Sequence, residues 1–205
     1  MRVLFWGKGA RGRACLERLV AERFHVVGVV GEEAEDEAGP RFKRLDQQAA
    51  EKSIPYHVVK RVRSEEALLL VQSVEADVFV LAGYTRILRR PMLELPPMGV
   101  VNLHGGRIPE YRGAAPIPWQ IIRGERTLGL TVLYADCGID TGDVLLEETY
   151  ELSPAEGATE AVEETLRRFP RMLVEALRQL KNGTLKGRPQ DLAAGAYFTR
   201  RHPED

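Results

Sequence analysis

The protein has 205 residues, and its 29 basic and 30 acidic side chains nearly cancel. This length is enough to bury the core of one domain, and 44% hydrophobic residues are ordinary for a globular protein. The charge balance argues against a surface that tracks DNA. We find no signal peptide and no apolar run long enough to cross a bilayer. The sequence therefore predicts one domain over residues 1–205 in the cytoplasm, without a membrane or DNA partner. It predicts no oligomeric state.

The first thirty residues have the pattern of a β-α-β unit. An apolar run, Val3–Trp6, ends at a glycine, as expected for a buried strand. Ala14–Leu19 then carries apolar residues at helical spacing, and His25–Val30 is a second run rich in β-formers. Because such crossovers are right-handed and join parallel strands, these two strands should pair in parallel.

The rest of the chain continues to alternate between strand and helix patterns, and this favours a Rossmann-like, doubly wound α/β fold. We expect a mostly parallel sheet with helices on both faces. Two loops are predicted, an acidic one at Gly31–Pro40 and a second at Gly105–Pro118. We also expect a kink or break at Pro170 and an irregular tail from about Gly183. Predicted helices are Arg41–Lys52, Ser64–Val74, Pro91–Leu95, Trp119–Gly124 and Thr159–Leu180; predicted strands are Pro55–Val59, Asp77–Ala82, Gly99–Leu103, Leu128–Tyr134 and Asp143–Glu151.

A glycine loop, GKGARG, follows the first strand at Gly7–Gly12. Its backbone N–H groups and the helix N-terminus could receive an anion, and its spacing matches the dinucleotide-binding pattern. A tight strand-to-helix turn would need the same glycines. Because Gly31, not an acidic residue, ends the second strand, NAD binding is disfavoured.

A second group of polar residues lies at the end of the strand Gly99–Leu103. Asn102 and His104 alternate there, so both side chains should point to one face of the sheet. Asp140 follows in the turn-rich segment GIDTGDVL. Open α/β sheets bind ligands at the carboxyl ends of their strands. An amide donor, an imidazole and a carboxylate could form an acyl-transfer site there, although for each residue taken alone a structural role is the better interpretation.

The segment NLHGGRIPEYRGAAPIPW, the later stretch ADCGIDTGDVLLEE and the earlier stretch LAGYTRIL together resemble folate-dependent formyltransferases. The similarity is strongest to the catalytic domain of methionyl-tRNA formyltransferases. Sugar-nucleotide and glycinamide ribonucleotide formyltransferases share the same core. The similarity runs in order from the first strand to about Glu151.

The resemblance implies an enzyme that takes a formyl group from 10-formyltetrahydrofolate and needs no metal. Asn102 would donate a hydrogen bond to the formyl oxygen, His104 would serve in proton transfer, and Asp140 would position His104 and a water. The donor pocket would be formed by Leu81, Arg86, Ile87, Leu88, Ala135, Asp136 and Ile139. For the apolar members of this set, an ordinary core position is the alternative.

The acceptor amine is less well defined by the resemblance. In glycinamide ribonucleotide relatives the glycine loop holds a phosphate, which implies such a role for Gly7, Lys8, Gly9 and Arg11. Tyr111 and Arg112 match a turn that shapes the entrance to the site. Arg107 stands where many relatives are apolar, so it is either an anion contact or a solvated side chain.

Three function classes remain open at this stage. The leading one is an amine N-formyltransferase acting on aminoacyl-tRNA, a sugar nucleotide or another small amine. The same three residues could also hydrolyse formyltetrahydrofolate, with water in place of the amine. A non-catalytic folate- or nucleotide-binding module is disfavoured by the intact trio. Methionyl-tRNA formyltransferases carry a further C-terminal domain that helps to hold tRNA, and the sequence given stops at Asp205. Together with the near-zero net charge, this leaves the acceptor open among aminoacyl-tRNA, a sugar nucleotide and glycinamide ribonucleotide.

Overall fold

A computed structural model of the protein describes residues 1–32 and 43–200. Its strands are β1 (Arg2–Gly7), β2 (His25–Gly31), β3 (Tyr56–Val58), β4 (Val78–Ala82), β5 (Val100–His104), β6 (Arg112–Gly113), β7 (Thr127–Tyr134), β8 (Val144–Glu151) and β9 (Tyr197–Phe198). Its helices are α1 (Gly9–Ala21), α2 (Leu45–Glu51), α3 (Glu65–Ser73), α4 (Arg90–Leu93), α5 (Pro116–Ile122) and α6 (Ala158–Lys181), with a short 3-10 helix at Leu192–Ala194.

Seven strands form one sheet in the order β3-β2-β1-β4-β5-β7-β8. The first five are parallel, and β7 pairs antiparallel with both β5 and β8. This confirms the predicted doubly wound, mostly parallel sheet. The strand order reverses between β1 and β4, so the connections after these strands leave toward opposite faces. A crevice at the carboxyl ends of the strands results, and such crevices are where α/β sheets place their ligands.

Alternating side chains along the buried strands build a separate core on each face of the sheet. On one face, Val3 and Phe5 pack with residues of α1, α2, α5 and α6. On the other, Leu4 and Trp6 pack with residues of α3 and α4. Two-residue alternation in β1 therefore produces the expected layers, with helices on both sides.

The glycine loop is built for close packing between the ends of β1 and β4. A Cβ atom on Gly12 would lie 3.0 Å from the carbonyl oxygen of Ala82. Gly83 has a φ of +76°, and a Cβ there would lie 2.6 Å from the carbonyl oxygen of Lys8. Close approach of the two backbones therefore suffices to explain Gly12 in the loop and Gly83 after β4.

The loop predicted at Gly105–Pro118 is shorter than expected, and the helix predicted from Trp119 begins earlier. Helix α5 starts at Pro116, directly after Ala115, whose φ is 52°. Proline suits the first helical position because its missing N–H would have no partner there. The same loop also contains strand β6, which the sequence pattern does not indicate.

Pro170 was predicted to kink or interrupt the long helix, and the interruption is wrong. Helix α6 runs continuously through this residue from Ala158 to Lys181. Phe169, Leu173 and Leu177 are fully buried on the inner side of the helix. Their burial against the sheet offsets the one backbone hydrogen bond that a proline removes.

Two other predictions concern the segment between β2 and α2. The acidic loop was expected to begin at Gly31, but Gly31 ends β2, and the remainder, 33–40, lies outside the described residues. The helix expected from Arg41 begins at Leu45; residues 41 and 42 also lie outside the described residues.

The segment after α6 is mostly irregular, but it is bound to the rest of the molecule. Arg188 forms a reciprocal backbone bridge with Val144, and β9 pairs in parallel with β6. The ring of Phe198 stacks on Tyr111, with 5.4 Å between centroids. In the two described ranges, no helix is both long and apolar enough to span a membrane.

Candidate active site

The side chains of Asn102, His104 and Asp140 meet at the carboxyl end of β5. Asn102 Nδ2 donates to Asp140 Oδ1 at 3.2 Å, and His104 Nδ1 lies 3.3 Å from Asp140 Oδ2. Period-two alternation along β5 turns Asn102 and His104 to the same face. Asp140 reaches them from the turn between β7 and β8, because β7 lies beside β5 in the sheet.

Asp140 occupies a backbone conformation that few side chains adopt. Its φ is 53°, in the left-handed region, where a residue other than glycine needs support from its surroundings. Its carboxylate also accepts the main-chain N–H of Gly113 at 3.0 Å. Three donors or charge partners thus converge on one nearly buried carboxylate, whose side chain is only 11% exposed.

The imidazole of His104 lies between two oxygen acceptors. Its Nε2 is 2.7 Å from the carbonyl oxygen of Tyr111, and its Nδ1 faces Asp140. Burial lowers the pKa of His104 below its usual value; Asp140 and the Tyr111 carbonyl oppose this, and the charge of Arg11 adds to it. A neutral ring can donate to only one of the two acceptors. A proton that arrives during a reaction would therefore find the second acceptor already in place.

We expect His104 to titrate below its ordinary pKa of 6.5. Because the unfolded chain binds this proton more readily than the native protein, His104 should lower the free energy of unfolding as pH falls below that value. NMR titration of the imidazole Cε1–H resonance, assigned with His104→Gln, measures the midpoint directly. A midpoint above 6.5 would contradict the dominance of burial.

A cavity of about 670 Å³ opens beside the trio. All seven residues predicted for the donor pocket line it: Leu81, Arg86, Ile87, Leu88, Ala135, Asp136 and Ile139. Leu81 and Leu88 are buried, whereas Ile87 and Ile139 are 45% and 40% exposed. Leu81 and Leu88 are therefore core residues that also line the cavity. The two isoleucines are not core residues, and they present apolar surface on which a flat ring could pack.

Two polar members of this set hold the cavity wall in shape. The guanidinium of Arg86 donates to the carbonyl oxygens of Val59 and Lys60, which ties the β3–α3 loop to the rim. Asp136 accepts from the main-chain N–H of Gly138 at 3.0 Å and from the hydroxyl of Thr141 at 2.7 Å. These bonds organise the turn that carries Asp140.

Among the residues predicted for the acceptor, Arg11 is the one that lines the cavity. Its Nε is buried without a hydrogen-bond partner in the described residues, and its guanidinium carbon lies 4.9 Å from the ring centre of Phe169. Burial lowers the pKa of this group. No carboxylate in the described part of the chain forms an ion pair with Arg11, and a buried cation without such a partner is costly, so this position favours an anionic ligand.

Lys8 is already paired and is turned to a neighbouring carboxylate. Its Nζ lies 2.7 Å from Glu32 Oε2, and Glu32 also accepts from the hydroxyl of Thr85. Although burial alone would raise it, these contacts lower the pKa of Glu32. Gly7 ends β1 and Gly9 begins α1, and neither they nor Lys8 line the cavity.

Arg107, Tyr111 and Arg112 do not line the cavity but organise the loop after β5. Arg107 pairs with Glu125 at 2.7 Å, and the Tyr111 hydroxyl donates to the same carboxylate at 2.7 Å. The guanidinium of Arg112 donates to the carbonyl oxygens of Pro109 and Leu192. These contacts hold the loop after β5 together, and Arg107 is ion-paired with Glu125 while its side chain stays 31% exposed.

Sequence reasoning missed several groups at the site. Two are main-chain groups, the N–H of Gly113 and the carbonyl of Tyr111, which no sequence pattern identifies. Tyr197 and Arg200 line the cavity from the tail, and Gln190 donates to the turn that holds Asp140. No local pattern in the tail indicated contact with a residue fifty positions away.

Comparison with known proteins assigns the chain to a family. A family model described as formyl transferase matches residues 1–177. The chain therefore belongs to the formyl transferase family. Methionyl-tRNA formyltransferase from Ruminiclostridium cellulolyticum is 35% identical over 202 residues, which cover 96% of this chain and 64% of the relative. The chain thus spans slightly less than two thirds of the length of this curated relative.

Solved structures agree with the fold. An N-formyltransferase from Helicobacter canadensis, solved in complex with folinic acid and dTDP-3-aminofucose, has a TM-score of 0.78 at 19% identity. The superposition covers 96% of this chain and 70% of the Helicobacter canadensis chain. Glycinamide ribonucleotide transformylase 1 from Symbiobacterium toebii has a TM-score of 0.75 at 22% identity, and the superposition covers 93% of this chain and 94% of the transformylase. At these identities the likeness concerns the fold alone.

Proposed function

We propose that this chain transfers a formyl group from 10-formyltetrahydrofolate to the amine of an acceptor molecule. One observation carries the proposal: Asp140 holds both Asn102 and His104 at the edge of a cavity of about 670 Å³. An amide donor, a low-pKa imidazole and a carboxylate are the groups that acyl transfer to an amine requires.

Asn102 supplies the hydrogen bond that stabilises charge on the formyl oxygen. One of its two amide hydrogens points to Asp140, so the second is available to the substrate. When the amine attacks, the carbonyl oxygen becomes anionic and this bond strengthens. A donor of this kind contributes about 3 kcal/mol to lowering the barrier.

His104 accepts the proton that the amine must lose, and Asp140 stabilises the imidazolium that forms. The neutral amine forms a C–N bond to the formyl carbon, and the C–O π electrons move to the oxygen. The amine proton passes to the imidazole, directly or through a water, and the imidazolium then has Asp140 and the Tyr111 carbonyl as acceptors. Collapse breaks the bond from carbon to N10 of the folate, which takes up a proton and leaves as tetrahydrofolate.

Two supports favour a folate as the donor. The cavity wall beside the trio carries apolar surface from Leu81, Ile87, Leu88 and Ile139, suited to a pterin ring. The Helicobacter canadensis enzyme, which shares the fold, was solved with folinic acid. The donor pocket residues proposed from the sequence are thus compatible with this ligand.

The acceptor is proposed to be an amine on a molecule that also carries an anion. Arg11 places its guanidinium at the cavity wall, where its charge acts on His104, and its Nε has no hydrogen-bond partner within residues 1–32 and 43–200. Methionyl-tRNA, dTDP-amino sugars and glycinamide ribonucleotide all join an amine to phosphate. The curated relative at 35% identity acts on methionyl-tRNA by its name, and we rank that acceptor first.

An acceptor screen with 10-formyltetrahydrofolate tests this function. We expect one of methionyl-tRNA, dTDP-3-aminofucose or glycinamide ribonucleotide to yield a formylated product with stoichiometric tetrahydrofolate. Tetrahydrofolate and formate appearing at the same rate without any amine would instead identify a hydrolase. No folate turnover under any of these conditions would refute the proposed activity.

Replacing Arg11 with Ala should weaken acceptor binding and spare donor binding. Loss of a charge-assisted contact to the acceptor anion should raise the acceptor KM about 10- to 100-fold. Lys8→Ala is the matched control, because Lys8 already pairs with Glu32 and is expected to change this KM less than about threefold. Equal effects of both variants, or none, would show that Arg11 is not the anion contact.

A further inference from the structure

The tail of the chain contains a side chain that reaches the catalytic turn without touching the cavity. Gln190 Nε2 donates to the carbonyl oxygen of Asp140 at 3.0 Å and to that of Gly142 at 2.6 Å. Both neighbours are acceptors only, so the amide nitrogen must face them. Its Oε1 is buried and has no partner within the described residues. Within the described residues, the hydrogen bonds of this side chain therefore go to the turn alone.

The turn needs such support because of its backbone. Asp140 sits at a φ of 53°, which a non-glycine residue holds only where its surroundings fix it. Gly142 is equally constrained, since a Cβ there would lie 2.0 Å from the carbonyl oxygen of Tyr134. Gln190 bonds the carbonyls of both residues. The first bond restrains the peptide plane that follows the Asp140 Cα atom, and the second restrains the turn two residues further on.

Gln190 itself is held in place independently of the cavity. Arg188, two residues earlier, exchanges backbone bonds of 2.8 and 2.9 Å with Val144. The side chain of Asp191, the next residue, accepts from the N–H of Ala193 at 3.1 Å and caps the N-terminus of the 3-10 helix. The amide is thus presented from a fixed backbone. The family match ends at residue 177, so Gln190 lies beyond the matched segment.

We infer that Gln190 is a positioning residue for the proposed reaction, which holds the Asp140 carboxylate against Asn102, His104 and the N–H of Gly113. It acts through Asp140 and touches no substrate. The inference rests on the proposed function for its catalytic consequence. The claim that Gln190 orients Asp140 does not depend on the proposed function, because it rests on the hydrogen bonds from Gln190 to the turn.

Gln190→Glu tests this most directly, because it changes only the amide NH₂ to an oxygen that cannot donate when ionised. Gln190→Met removes both bonds at similar size and without charge. Gly113 is the reporter, because its N–H donates to Asp140 Oδ2. We expect amide hydrogen exchange at Gly113 to become about tenfold faster in both variants. Where transfer is measured, kcat should fall about tenfold with the donor KM within about twofold.

Arg188→Ala is the matched control, since its side chain pairs with Glu147 and its backbone bridge to Val144 remains. It should leave Gly113 exchange and kcat near those of the unaltered protein. Unchanged Gly113 exchange in Gln190→Glu and Gln190→Met would overturn the inference, and so would an equal effect of Arg188→Ala. Exchange needs no turnover, so failure of the proposed activity in the acceptor screen would be recognised separately.

Discussion

Replacing Asp140 with Ala is expected to lower kcat about 1,000-fold. The carboxylate is the common partner of Asn102, His104 and the N–H of Gly113, at 3.2, 3.3 and 3.0 Å. Its removal frees the amide that binds the formyl oxygen and takes away the charge that stabilises the imidazolium. Steady-state transfer with the acceptor identified by the screen measures the loss.

The variant must be distinguished from one that is merely unfolded. Thermal unfolding and calorimetric binding of folinic acid check that the sheet and the donor pocket survive. Asp143→Asn changes a carboxylate in the same turn that does not line the cavity, and its kcat should stay within about threefold. A kcat for Asp140→Ala within tenfold of the original would contradict the central role of this residue.

Asn102→Ala is expected to lower kcat at least 100-fold while the donor Kd changes little. The lost amide hydrogen bonds the oxygen mainly when it is anionic, so the transition state loses more than the bound donor does. Rapid-quench single-turnover measurements at saturating donor isolate the chemical step.

Asn182→Ala is a suitable control for the same change of side chain, because Asn182 is an exposed residue at the end of α6. It should leave the single-turnover rate unaltered. An Asn102→Ala rate within threefold of the original, with normal donor binding, would mean that another group holds the oxyanion.

The trio could be predicted because its geometry follows from local rules. Alternation in β5 fixes the side on which Asn102 and His104 emerge, and the carboxyl ends of parallel strands fix the edge. Asp140 required more than local rules, because nothing in its own segment states that β7 lies beside β5. Its assignment came from resemblance to a family, and the contacts with Asn102 and His104 agree with it.

Other features depend on contacts between distant segments, and local patterns do not encode them. Pro170 stays within a helix because the residues around it are buried against the sheet. Lys8 and Arg107 were predicted as acceptor contacts, yet each pairs with a glutamate that sequence spacing does not place beside it. The sequence does not show that Arg11 lines the cavity whereas Lys8 turns to Glu32, because this depends on the direction in which α1 leaves the glycine loop.

The tail contact also bears on the order in which the molecule becomes complete during synthesis. The seven-stranded sheet and the buried residues of its two cores come from residues up to 181, and the bonds from Gln190 to the Asp140 turn come afterwards. Because chains emerge from the ribosome N-terminus first, the sheet can form while the catalytic turn still lacks these bonds. A nascent chain would thus have its sheet before Gln190 holds the Asp140 turn, and we expect any transfer by such a chain to be about tenfold slower until residues 182–190 have been added.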